Sequence, residues 1–211
     1  MKYTSFFFLL SLFLFASCEK SRNEETLWWH NADIVELDAS NYELSISDTS
    51  ATGNFVKFSF LQGGIVTNDN WDVAFRGTTL IVNGGEKAND DQPDRSGNAA
   101  VYIAIGSMSE IASVDTIKLL QDNSSGSAVL SNIMIDDLGV SGQGWASYSF
   151  STHLFSARAG RILVFRTHDN KYAKMEILYF YDRINPDTEN GDIGGYYTFN
   201  YVYQADGTTT F

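Results

Sequence analysis

The sequence predicts an all-β domain, and three observations carry that prediction. From Leu27 onward apolar residues recur mostly at alternate positions, the pattern of half-buried strands. No window of about twelve residues holds a sustained helical stripe. Glycine pairs and an Asp-Asn pair fall between the alternating runs, where a chain of strands must reverse. With 211 residues, 44% of them hydrophobic and only two prolines, one globular domain is the default.

The first residues, MKYTSFFFLLSLFLFASCEK, place Lys2 before an apolar run over residues 6–16 and small residues before Cys18. This reads as a secretory signal, too short to cross a bilayer as a stable helix. The order Leu14, Phe15, Ala16, Ser17, Cys18 resembles a bacterial lipoprotein box, in which the cysteine is lipidated and becomes the first mature residue. Acyl chains there would hold the protein at a membrane surface, each buried methylene contributing ~0.8 kcal/mol. The expected organisation is a signal peptide over 1–17, the lipidated cysteine and a polar tether over 18–26, and a β domain over 27–211.

Along that domain, residues 54–61 alternate Val56, Phe58 and Phe60 against Lys57 and Ser59 and end at Gly63-Gly64, giving a strand with one core face. Trp71, Val73 and Phe75 alternate with Asp72, Ala74 and Arg76, so those three are expected on an outer face. Gly77 then interrupts, and residues 78–82 resume before Asn83-Gly84-Gly85, reading as two strands around a glycine bulge or turn. Residues 86–97 are polar, contain Pro93 and read as a surface loop. Strand character returns over 101–105, while 107–143 reads as short strands and loops. Residues 161–167 (RILVFRT) and 171–181 (KYAKMEILYFY) flank Asp169-Asn170 and form an expected hairpin. In the last strand Tyr197, Phe199, Tyr201 and Tyr203 share one face, an aromatic row suited to a core.

Charge and composition exclude several functions. The formal net charge is -12 and no basic run exceeds two residues, which argues against nucleic acid. A single cysteine permits no disulfide or thiolate-rich metal site. There is no Gly-x-Ser-x-Gly elbow, no His-Glu-x-x-His and no Walker loop, so no enzyme is read. Only the surplus of carboxylates leaves a hydrolase of unrecognised type open. The run Asp90-Asp91-Gln92-Pro93-Asp94 could meet calcium but lacks the spacing of an EF-hand loop.

The runs NWDVAFRGTTLIVNGG (70–85), RILVFRTHDNKYAKMEI (161–177) and YYTFNYVYQ (196–204), in that order behind a lipoprotein signal, resemble the HmuY-like lipoprotein family. The resemblance extends from about residue 35 to the C-terminus. It implies two packed, mainly antiparallel sheets on the outer membrane of a Gram-negative cell. It also implies a haemophore that captures haem and passes it to a TonB-dependent receptor. The motifs themselves (Trp71, Phe75, Phe165, Tyr172 and the Tyr197 to Tyr203 row) are fold determinants and include no axial ligand.

A haem site needs axial ligands, an apolar slot and donors for the propionates. In haem-binding relatives two side chains hold the iron, His with His or Met with Met, the second shortly after a Gly-Trp pair. Here Gly144-Trp145 is followed by His153, the leading ligand, displaced by a few residues from the family position. His168 in the hairpin turn reads as solvated, and His30 after Trp28-Trp29 as packing. For the first ligand the expected region offers Met134 and Met108, of which Met134 lies closer to the ligand-bearing loops. A His153 and Met134 pair would need a hydrogen-bond partner for the second imidazole nitrogen, and its neutral imidazole would be lost at acidic pH. Arg158, Arg161 and Lys174 are candidates for the propionates. The alternative reading keeps the β scaffold and changes the cargo to another ligand or a protein partner.

Overall fold

The computed structural model describes residues 29–44, 51–125, 134–135, 144–184 and 194–211; the expected signal peptide, Cys18 and tether lie outside them. Among the described residues there are only strands, turns and loops. The strands are β1 (Trp29–Asp38), β2 (Tyr42–Leu44), β3 (Ala51–Gly53), β4 (Val56–Ser59), β5 (Gly64–Val66), β6 (Val73–Arg76) and β7 (Thr79–Val82). They continue with β8 (Ala100–Ile105), β9 (Met134–Ile135), β10 (Ala146–Tyr148), β11 (Phe155–Ala157), β12 (Arg161–Arg166), β13 (Tyr172–Tyr181) and β14 (Gly194–Gln204).

Two sheets make the body: a five-stranded sheet ordered β1-β14-β13-β12-β8 and a four-stranded sheet ordered β5-β4-β6-β7. Both are antiparallel throughout. Two smaller sheets, β2-β3 and β11-β10-β9, add to them, and in the latter β9 runs parallel to β10.

The aromatic row expected of β14 is where the body closes. Tyr197, Phe199, Tyr201 and Tyr203 are all buried in one cluster with Phe58, Phe60 and Phe75 of the other sheet. Phe58 meets Phe199 edge-on at 5.4 Å and Phe75 stacks on it at 5.9 Å. Offset and edge contacts of this kind contribute about 0.5–1.5 kcal/mol per pair beyond burial. The buried Tyr197 hydroxyl donates to the Gly77 carbonyl at 2.6 Å, which ties the β6–β7 turn to the core. Burial pushes that phenol well above its ordinary pKa.

The hairpin from β12 to β13 turns over residues 167–171, with Asn170 in the left-handed region at φ 66°. Asparagine tolerates that conformation, so the Asp169-Asn170 signal was physically sound. Residues 71–76 differ from the single-faced strand the alternation predicts, because they are buried on both faces. On the second face Ala74 packs with Trp71, Val66 and Ile81, His168 meets Asp72, and the loop over residues 86–96 reaches Arg76 through Asp91 and Trp71 through Arg95. Arg76, 4% exposed, donates to Asp91 at 2.6 Å and to the Gly53 carbonyl. Lys87 pairs with Asp90 and Asp94, so the acids of the 90–94 run serve to clamp this loop.

His168 is not the solvated turn residue expected. Its Nδ1 lies 2.7 Å from Oδ1 of the buried Asp72, which also accepts the His168 backbone N–H at 2.8 Å. Asp72 Oδ2 accepts the Phe60 N–H at 2.8 Å, so one carboxylate joins β4, β6 and the β12–β13 turn. The hydrogen bond to Asp72, followed by the charges of Asp72 and Asp169, raises the His168 pKa against the opposing effect of burial.

Candidate functional site

The hairpin that carries His153 is rooted in the core. Trp145 is buried beside Phe180 at 5.8 Å and Tyr197 at 5.5 Å, so the Gly-Trp pair fixes where β10 leaves the body. β10 then pairs with β11, Ala146 facing Ala157 and Tyr148 facing Phe155. Residues 149–154 close the loop through the Ser149 N–H to the Leu154 carbonyl at 3.0 Å and the Thr152 N–H to Ser149 Oγ at 3.3 Å.

His153 sits in that loop, exposed, with φ at 59°. Its Nδ1 lies 3.1 Å from the Tyr148 hydroxyl, the partner that sequence alone left unnamed. Among the described residues the ring has no other hydrogen-bond partner, which leaves Nε2 open. Near His153 in the chain Phe150 and Leu154 are exposed, as are Leu178 and Tyr179 of β13. Beside the hairpin a cleft of about 250 Å³ between β11 and the end of β13 is lined by Leu154, Phe155, Ser156, Leu178, Tyr179 and Tyr181 among others, a mixed apolar and polar wall. Exposed apolar side chains gathered at one place mark a ligand or partner site more often than scattered ones do.

The candidate ligands fall into two groups. Met134 lies in β9, paired in parallel with β10 so that Met134 is beside Ser147. Met134 and His153 therefore belong to the same three-stranded unit, one on its edge strand β9 and one in the β10–β11 hairpin loop. Met108 instead packs on the far face of the five-stranded sheet, with Tyr102, Ile162 and Val164. His30 lies in β1, opposite Tyr203 of β14.

The basic candidates are placed elsewhere. Arg158 follows β11 at the rooted end of the hairpin, where its guanidinium reaches the Gly144 carbonyl at 3.3 Å. At about 3.3 Å per residue of extended chain it stands up to roughly 16 Å from His153. Arg161 opens β12 opposite Ile105, after a turn. Lys174 is buried, and its ammonium donates to the Met108 and Ile111 carbonyls at 2.7 and 2.8 Å, with burial lowering its pKa. It belongs to the far face and not to the hairpin. The cation that does border the apolar cleft is Arg183, whose guanidinium lies 5.2 Å over the Tyr179 ring. Sequence reasoning missed it because nothing local links Arg183 to His153.

Asp72, His168 and Asp169 are the grouping of possible metal ligands among the described residues. Both Asp72 oxygens already accept N–H groups, so the cluster is satisfied as a structural tie. The hairpin face has a different chemistry. It offers an exposed imidazole with Nδ1 beside a hydroxyl, a nearby cleft of mixed lining, and the Arg183 guanidinium over Tyr179 at its border.

Fold and site together define an all-β protein that presents a histidine on an exposed apolar hairpin. No protein-family model matches the chain, and no curated protein matches it. Among solved structures it is similar to a Bacteroides fragilis protein assigned as a lipoprotein, at 16% identity, covering 86% of this chain and 94% of that one with a TM-score of 0.45. It is similar to a Bacteroides vulgatus protein assigned as HmuY-like and haem-binding, at 12% identity over 83% and 92% of the two chains, TM-score 0.46. A third is the apo form of a Tannerella forsythia HmuY analogue, at 10% identity over 83% and 97%, TM-score 0.45.

Proposed function

We propose that this chain is a haem-binding lipoprotein of the HmuY-like kind, anchored through Cys18 at the outer membrane surface of a Gram-negative cell. It captures haem and passes it to a TonB-dependent receptor, and it has no catalytic role. The observation that carries this reading is His153: exposed, with Nδ1 beside the Tyr148 hydroxyl and exposed Phe150 and Leu154 near it in the chain.

Bound haem supplies an iron with axial positions for protein donors. In this reading His153 fills one and Met134, on the neighbouring strand, the other. Phe150, Leu154, Leu178 and Tyr179 remove the macrocycle from water, and Arg183 meets a propionate, a role for which Arg158 and Arg161 stand farther off. A site built on a surface hairpin also suits a carrier, since cargo that must be handed on has to be reachable by the receptor.

A second reading keeps the scaffold and gives the same face another ligand or a protein partner. The cleft of about 250 Å³ favours it, because it lies below the roughly 300–1,000 Å³ usual for sites that enclose a small molecule. Visible-absorption titration of residues 19–211 with oxidised and reduced haem separates the two. A saturable, sharpened Soret band that His153→Ala and Met134→Ala each weaken by tenfold or more is expected, the scale at which even outer-sphere partners of a ligand matter, roughly 10–100-fold. An unsaturable spectrum indifferent to both substitutions would sink the haem reading and leave the second.

A further inference from the structure

We infer that Tyr148 is the positioning residue of His153: its phenol oxygen accepts the Nδ1 proton and so leaves Nε2 as the bare donor facing outward. The inference rests on the haem reading for its purpose, but the tautomer it assigns is a property of the chain alone.

The contact is 3.1 Å long and spans five residues around a closed hairpin. Tyr148 ends β10 with its ring packed 4.8 Å from Phe155 and 5.2 Å from Phe150, so its hydroxyl is presented at a set point. The loop between is tied by its own backbone bond from Ser149 to Leu154. His153 is held at φ 59°, a region that the Cβ of any non-glycine residue disfavours. A non-glycine residue persists there when its surroundings over-determine it, and such positions cluster at functional sites.

The chemistry follows from one proton and two nitrogens. Neutral imidazole carries its proton on Nδ1 or on Nε2, and only the nitrogen without it can coordinate. The tautomer is set by the hydrogen bond that the other nitrogen makes. A hydroxyl beside Nδ1 either donates to it, leaving the proton on Nε2, or accepts its proton and leaves Nε2 to coordinate. The second arrangement is the one assigned, and in it an oxygen acceptor behind the ring raises the basicity of Nε2.

Tyr148→Phe removes the oxygen and keeps the packed ring. Long-range proton–nitrogen spectra of the full chain without haem, with His153→Ala to identify the signals, report which nitrogen is protonated. We expect Nδ1–H in the wild type and a shift toward Nε2–H in Tyr148→Phe, with haem affinity lowered roughly 10–100-fold in the variant. An Nε2–H ring in the wild type, or equal tautomer and affinity in both proteins, overturns the inference. If the wild type takes up no haem, the proposed function fails, and the nitrogen spectra alone decide whether Tyr148 sets the tautomer.

Discussion

His153 occupies a backbone position that glycine would fill with less strain. A left-handed residue with a side chain costs roughly 1–2 kcal/mol, offset in a glycine by about 0.5–1 kcal/mol of extra chain entropy lost on folding. His153→Ala keeps the strain and loses the Tyr148 hydrogen bond; His153→Gly loses the same bond and relieves the strain. Urea unfolding should therefore rank His153→Gly above His153→Ala, by up to about 1 kcal/mol, although both lose haem ligation. A glycine variant less stable than the alanine variant would mean that the loop is not strained at this residue. His153 was legible in the sequence because a histidine shortly after Gly144-Trp145 stands out by type and spacing. Tyr148 and Arg183 were not, because a tyrosine in a strand reads as packing until its hydroxyl is seen to face a ring nitrogen.

Hairpins were the most readable elements, since period-two alternation and the turn residues between strands are both local. The β12–β13 hairpin and the inward row of β14 follow from neighbours a few residues apart. The outer face of β6 could not be read in this way. Asp72 and Arg76 look solvent-facing in the alternation, yet His168 reaches Asp72 from ninety-six positions later and residues 86–96 fold back over Arg76. The His168–Asp72 tie predicts how these elements respond to pH. The folded-state pKa of His168 is raised, so its stabilising contribution is complete below the unfolded value of about 6.5 and is lost as pH rises through the folded value. Urea midpoints of the wild type should fall between pH 5.5 and 8.5 by more than those of His168→Gln, in which no charge titrates. Equal slopes in the two proteins would show that the pair makes no net contribution in this window.

At the scale of the whole molecule, the core and the exposed loop of the proposed site differ in what they contribute to stability. The body is closed by aromatic rings between the two large sheets, while the proposed haem face lies at the β10–β11 hairpin, rooted in that core through Trp145 and Ala146 and packed on it through Phe155. A single core truncation such as Phe199→Ala should cost about 3–5 kcal/mol, a large share of the roughly 5–15 kcal/mol that holds a domain folded. Tyr148→Phe, which keeps the packed ring at the end of β10, and His153→Ala on the exposed loop should each cost less than about 1 kcal/mol. That difference also governs how haem stabilises the fold. A ligand that binds only the native state adds about 2.7 kcal/mol at a hundredfold excess over its dissociation constant. For a domain of this size that corresponds to a rise of roughly 5–11 °C in Tm. Thermal unfolding with haem should show that rise in the wild type and none in His153→Ala, whose fold is otherwise intact. Phe199→Ala, if folded at low temperature, should start from a lower Tm and still gain a comparable increment, because its hairpin is unchanged. A rise of equal size in His153→Ala would place haem elsewhere on the surface and sink the assignment of this hairpin as its site.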